Sequence, residues 1–187
     1  MVAVHAFGCV LAAAGGLGSS AALADGGAAR AGKVRCDGQN VSVRSPGTAD
    51  AKVACDGARD AIGFLAAQGL DVASEVAIDL VPKIPRRAGT GAAGCYLKSE
   101  RRAVVMTFVE FGKLGTWMNV QIDAALYRSL VAHEVAHAVA ACNFKVAKPS
   151  IQAQEYIAYV TMLATMAPSA SGCCRNSRDR SSRVTGR

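Results

Sequence analysis

The sequence predicts a small α+β domain, on three observations. Two segments toward the C-terminal end, Ala124 to Cys142 and Ile151 to about Met166, contain neither Gly nor Pro and read as consecutive helices. Several short apolar runs, such as Val76 to Val81, are closed by Pro or Gly and read as strands. Taken in order the elements run strand, helix, strand, strand, strand, helix, helix, which is not the regular alternation of a parallel α/β fold. The expected architecture is a short, mostly antiparallel sheet packed on an N-terminal helix and on the first of the two C-terminal helices.

Each element has a local reason. Residues 1–24 are almost uncharged, rich in Ala and Gly, and end in Ala22-Leu23-Ala24 before Asp25, a small-x-small cleavage pattern, so they are expected to be a signal peptide. A flexible Gly/Ala linker is expected over 25–33, followed by the folded domain, 34–168. Val34 to Arg44 has the alternation of a strand at Val41 and Val43, and Pro46-Gly47 ends it. Over 49–69, Ala54, Ala58, Ala61, Ile62 and Leu65 recur at helical spacing, and Gly69 stands where a C-terminal cap belongs, although Gly57 and Gly63 interrupt the run. A Gly-rich connection through Gly89, Gly91 and Gly94 follows the Val76 strand. Ala103 to Phe111 and Trp117 to Ile122 read as two more strands around the turn residues Gly112 to Gly115. Asp123 is positioned to cap the first C-terminal helix, and Lys148-Pro149-Ser150 opens the second.

Composition narrows the function classes. With 51% hydrophobic and 19% charged residues the chain can bury a core, and with only 5% aromatics it has no basic and aromatic stripe of the kind that reads nucleic acid. The net charge of +7 is concentrated at the end. From Ser169 onward five arginines face one aspartate, so 169–187 is expected to be a basic, solvated tail. No later stretch has membrane-spanning length, so no transmembrane anchor is expected once the signal is cleaved. Export, to the periplasm or beyond the cell, also suits the cysteines. Without Cys9 six remain, an even number that fits disulfides, and the expected pairs among 15 connectivities are Cys36 with Cys55 and Cys95 with Cys142.

The chemistry is concentrated in His133-Glu134-Val135-Ala136-His137. Two imidazoles four residues apart on a helix lie on one face and can converge on one ion, and Glu134 beside the first stands where a carboxylate can take a proton from water. A chain with three histidines and five glutamates produces this pattern by accident on the order of once in a thousand. A catalytic zinc takes three protein ligands, and the only Asp, Glu or His between His137 and Asp179 is Glu155, in the following helix. Cys142, five residues past His137, falls off the histidine face and is the poorer ligand.

Over residues 103 to 166 the arrangement resembles the zincin metallopeptidases, and within them the gluzincins. His133 and His137 match that family's paired ligands, Glu134 its general base and Glu155 its downstream carboxylate. The metzincin extension is absent, because Ala140 and Asn143 stand where its glycine and third histidine would be. The chain also resembles exported bacterial proteins that carry the same motif. The resemblance implies bound Zn2+, a peptide or protein substrate, and an open strand edge for it at Ala103 to Val109 or Trp117 to Val120. It also implies a hydrogen-bond donor beside the metal, for which Tyr159 is better placed than Tyr156. The competing expectation is a non-catalytic, disulfide-bonded binding or structural protein in which a metal only joins two helices.

Overall fold

A computed structural model describes residues 32–86 and 91–166. The expected signal peptide, nearly all of the expected linker, Gly89, Cys173, Cys174 and the basic tail lie outside the described residues. The domain is α+β, as the sequence predicts. Its elements are β1 (Gly32–Arg35), β2 (Val41–Ser45), α1 (Thr48–Ala67), β3 (Val76–Val81), β4 (Gly94–Leu97), β5 (Arg102–Met106), α2 (Phe108–Gly112), β6 (Thr116–Trp117), β7 (Val120–Gln121), α3 (Ala124–Asn143) and α4 (Ile151–Thr165).

The main sheet has the order β1-β2-β3-β5-β4. The central pairs β2/β3 and β3/β5 are parallel, and the outer pairs β1/β2 and β4/β5 are antiparallel. Alternation along the strands sends Val41, Val43, Ile78, Leu80, Ala103 and Val105 to the face covered by α1 and α3. On the other face Arg44 and Arg102 both donate to Asp79, at 3.5 and 2.6 Å, beside a smaller apolar cluster of Ile84, Cys95, Leu97 and Val104.

Local differences from the sequence reading have identifiable causes. Val34 to Arg44 is a hairpin rather than one strand, since Gly38 takes φ +69° and the Cys36 amide donates to the Val41 carbonyl. The segment through Gly94 is not all connection, because residues 94–97 pair with β5. The strand expected to reach Phe111 stops at Met106, where α2 begins and packs Phe111 between Trp117 and Tyr127. Trp117 to Ile122 folds back on itself because Met118 and Asn119 both have positive φ, as a two-residue hairpin of the I′ kind requires.

Helix α3 is the centre of the molecule. Except for Arg128, every residue from Leu126 to Ala140 is buried, with the sheet and α1 on one side and α4 on the other. Asp123 caps it by accepting from the Leu126 amide, and the Asn143 side chain ties its end to the backbone of Asp71. Gly57 explains itself at the crossing of α1 and α3: a Cβ there would stand 2.5 Å from the Arg128 carbonyl oxygen. Beside that contact Arg128 donates two hydrogen bonds to Asp60, at 2.5 and 2.7 Å.

The disulfide Cys36–Cys55 joins the β1/β2 turn to α1. The second expected pair, Cys95 with Cys142, does not form. Strand alternation turns Cys95 to the sheet face away from α3, whereas Cys142 is exposed at the end of α3, where the Arg101 guanidinium donates to its Sγ.

Candidate metal centre

His133 and His137 lie one turn apart on the face of α3 that meets α4, and both are buried. Helix α4 is capped by Ser150, which accepts from the Ala153 amide, and runs back along α3 so that Glu155 arrives opposite the two rings. The two Nε2 atoms are 3.2 Å apart. Glu155 Oε1 is 3.5 Å from His137 Nε2, and Glu155 Oε2 is 3.6 Å from His133 Nε2.

These spacings suit a metal better than they suit hydrogen bonding. Ligand atoms about 2.0–2.1 Å from a tetrahedral zinc stand about 3.3–3.4 Å from one another, and the three separations bracket that value. Both Glu155 oxygens are buried without a hydrogen-bond partner among the described residues, which is costly for a carboxylate that nothing else satisfies. The three residues form a group whose ligand atoms all lie within 4.8 Å of one another. The residues therefore fit a metal ion.

Electrostatics agree with the donor chemistry. Burial pulls the His137 imidazole down to about 4, with His133 adding to the effect and Glu155 opposing it, so the ring is neutral at neutral pH and free to ligate. Burial pushes the Glu155 carboxyl up, but the two histidines outweigh it and hold the group below its ordinary value, as an anion.

Glu134 points to the neighbouring strand. It is buried, and desolvation raises its carboxyl to about 7, with His133 lowering and Glu155 raising it. The side chain lies against the backbone of Gly94 in β4: a Cβ at residue 94 would be 2.5 Å from Glu134 Oε1 and 2.8 Å from its Cδ and Cγ. Among the described residues its Oε2 has no hydrogen-bond partner. Gly94 is the site residue the sequence did not single out, because it was one of several glycines in a segment read as a connection.

Tyr159 stands one turn past Glu155, with its ring edge-on to His133 at a centroid distance of 4.6 Å. Burial, reinforced by Glu155 and Glu134, pushes its hydroxyl up, so it remains a donor at neutral pH. Tyr156 is not part of the site; it is 71% exposed on the outer side of α4. Cys142 is likewise outside it, at the far end of α3.

Of the two segments expected to offer an open edge, the first is enclosed in the sheet, and the sheet edge beside α3 is another strand, Gly94–Leu97, all of it buried. Residues 103–106 are in β5, which is enclosed between β3 and β4, and Trp117 faces Val120 within the small hairpin. The edge beside α3 is β4. Its Ala93 carbonyl accepts from the Met106 amide, so by antiparallel alternation Gly94 and Tyr96 turn their backbone N–H and C=O groups away from β5.

Fold and site together define an α+β protein with a His-His-Glu cluster of metal-ligating groups held between two antiparallel helices. The chain belongs to DUF6639, a family of unknown function, whose model matches residues 41–185. Comparison with curated proteins and with solved structures gave no match.

Proposed function

We propose that this protein is an exported zinc-dependent hydrolase, a peptidase, with His133, His137 and Glu155 as metal ligands and Glu134 as general base. The observation that carries the reading is the convergence of two buried imidazoles and an otherwise unpaired carboxylate at donor separations of 3.2–3.6 Å. A zinc ion held there would supply Lewis-acid polarisation and acidify water. Glu134 does the proton work: it takes a proton from the attacking water and returns it to the leaving amine as the C–N bond breaks. Burial raises the carboxyl above its ordinary value, which strengthens it as a proton acceptor. Tyr159, whose ring lies against His133, would donate to the oxygen that becomes negative. Export is supported by the Cys36–Cys55 disulfide, which persists in oxidising compartments.

The test is metal content per chain in the purified protein, followed by peptide-library hydrolysis. One zinc per chain is expected in the wild type, with loss or sharp weakening in His133→Ala and Glu155→Ala. Glu134→Gln is expected to keep the metal and lose turnover. A folded wild type without stoichiometric metal would overturn the reading, and full activity in Glu134→Gln would overturn the base assignment.

A further inference from the structure

The alternation that sends Val43 and Ile78 toward the helices sends their neighbours to the opposite face of the sheet, and that face carries a cavity of about 330 Å3. Small-molecule sites occupy about 300–1,000 Å3, so the volume is of ligand size. Register explains the hollow. Arg35, Ser42, Ala77 and Arg102 form one row across the face, and Lys33, Arg44, Asp79 and Val104 form the next. Ser42 and Ala77 are short and stand side by side, so they make a floor between long charged side chains. At one end of the cavity Lys33, Arg44 and Arg102 gather beside a single acid, Asp79. Both guanidinium groups donate to the same Asp79 oxygen, Oδ2, Arg102 at 2.6 Å and Arg44 at 3.5 Å. Arg102 Nε is buried without a hydrogen-bond partner among the described residues. At the other end Arg101 stands with Glu75 and Glu100.

Cross-strand ion pairs are ordinary on an open sheet face. This face differs because it is hollow and because three cations share one acid. We propose that the cavity is a binding site for a small organic monocarboxylate, whose carboxylate lies between Arg44 and Arg102 with Lys33 beside it and whose body rests on the floor of Ser42 and Ala77. Guanidinium groups present planar forks that match a carboxylate, and those of Arg44 and Arg102 keep donors that Asp79 does not use. The far end sets the class. Glu75 and Glu100 oppose a second negative charge, so a phosphate ester, a dicarboxylate or a polyanion suits the cavity less than a ligand charged at one end only. The whole lining holds four cations and three acids, and one carboxylate neutralises that excess. The site lies on the side of the sheet away from α3, so the inference does not depend on the chemistry of the His-His-Glu cluster.

Amide NMR and calorimetry of the full, oxidised chain test it at low salt, with acetate, butyrate, hexanoate and benzoate as probes and inorganic phosphate and succinate as contrasts. Saturable binding of at least one monocarboxylate is expected, weakened by salt, with shifts at the amides of residues 42–44, 77–79 and 102. Ala77→Leu fills the floor and leaves every charge in place, whereas Arg44→Gln removes one guanidinium and leaves the floor. Each is expected to weaken binding roughly tenfold or more. Should Ala77→Leu fail to fold, Arg44→Gln reads the same cavity from an exposed side chain. The proposal is overturned if no monocarboxylate saturates, if phosphate or succinate binds more tightly than all of them, or if the folded variants bind as the wild type does. It is equally overturned if the shifts centre on His133, His137 and Glu155, since a carboxylate can also ligate a metal there.

Discussion

At the level of single residues, the packing of Glu134 on Gly94 links strand β4 to the chemistry of α3. Methyl groups forced into a packed contact cost about 1–3 kcal/mol when neighbours cannot shift freely, so Gly94→Ala should destabilise the protein by about that amount. In a Glu134→Ala background the obstructing side chain is gone, and most of that cost should vanish. Thermal or urea unfolding of the four proteins of this cycle checks it; equal costs in the two backgrounds would show that Gly94 is not there to make room for Glu134. The histidine pair, Glu134 and Glu155 were legible because they obey a helical period and because so few other ligand-type residues are available. Gly94 was not legible, since what distinguishes it is a neighbour 40 residues away in sequence, about which a run of glycines says nothing.

Within elements, helix α1 holds two glycines that the sequence treats alike and the fold does not. Gly57 meets the α3 backbone at Arg128, whereas nothing lies within 4 Å of a Cβ at the exposed Gly63. Gly63→Ala should therefore stabilise by about 0.5–1 kcal/mol through helix propensity alone. Gly57→Ala gains the same propensity, yet overlap with a backbone oxygen outweighs it, and a net loss of about 1–3 kcal/mol is expected. Chemical denaturation of the two variants checks the opposite signs. The long helices were readable from period, caps and the absence of breakers, and both observed caps, Asp123 and Ser150, are where the sequence puts them. The short elements were not. Whether residues 107–112 continue a strand or turn into α2 depends on Phe111 finding Trp117 and Tyr127, and Cys95 misses Cys142 because the sheet faces it the other way.

For the whole molecule, stability predictions attach to two cross-links, the observed disulfide and the proposed metal. The Cys36–Cys55 bond closes a loop with a separation of 19 residues, and its removal in the Cys36→Ala, Cys55→Ala pair should cost roughly 3 kcal/mol in the chain-entropy account. A metal at the proposed centre would join α3 to α4, so on that proposal zinc at a hundred times its Kd should add about 2.7 kcal/mol of stability that a chelator removes. Calorimetry with and without zinc and chelator measures that shift, and its absence in His133→Ala would assign it to this cluster. The sequence by itself determined the α+β class, the helix pair, and the residue types able to hold a metal, because these follow from periodicity, capping and donor chemistry that act over a few residues. Only the tertiary structure decided the mixed sheet order, the place of β4 at the sheet edge, the separation of Cys95 from Cys142 and the approach of Gly94 to the histidine helix. Those depend on which faces bury one another across distances in sequence that no local pattern encodes.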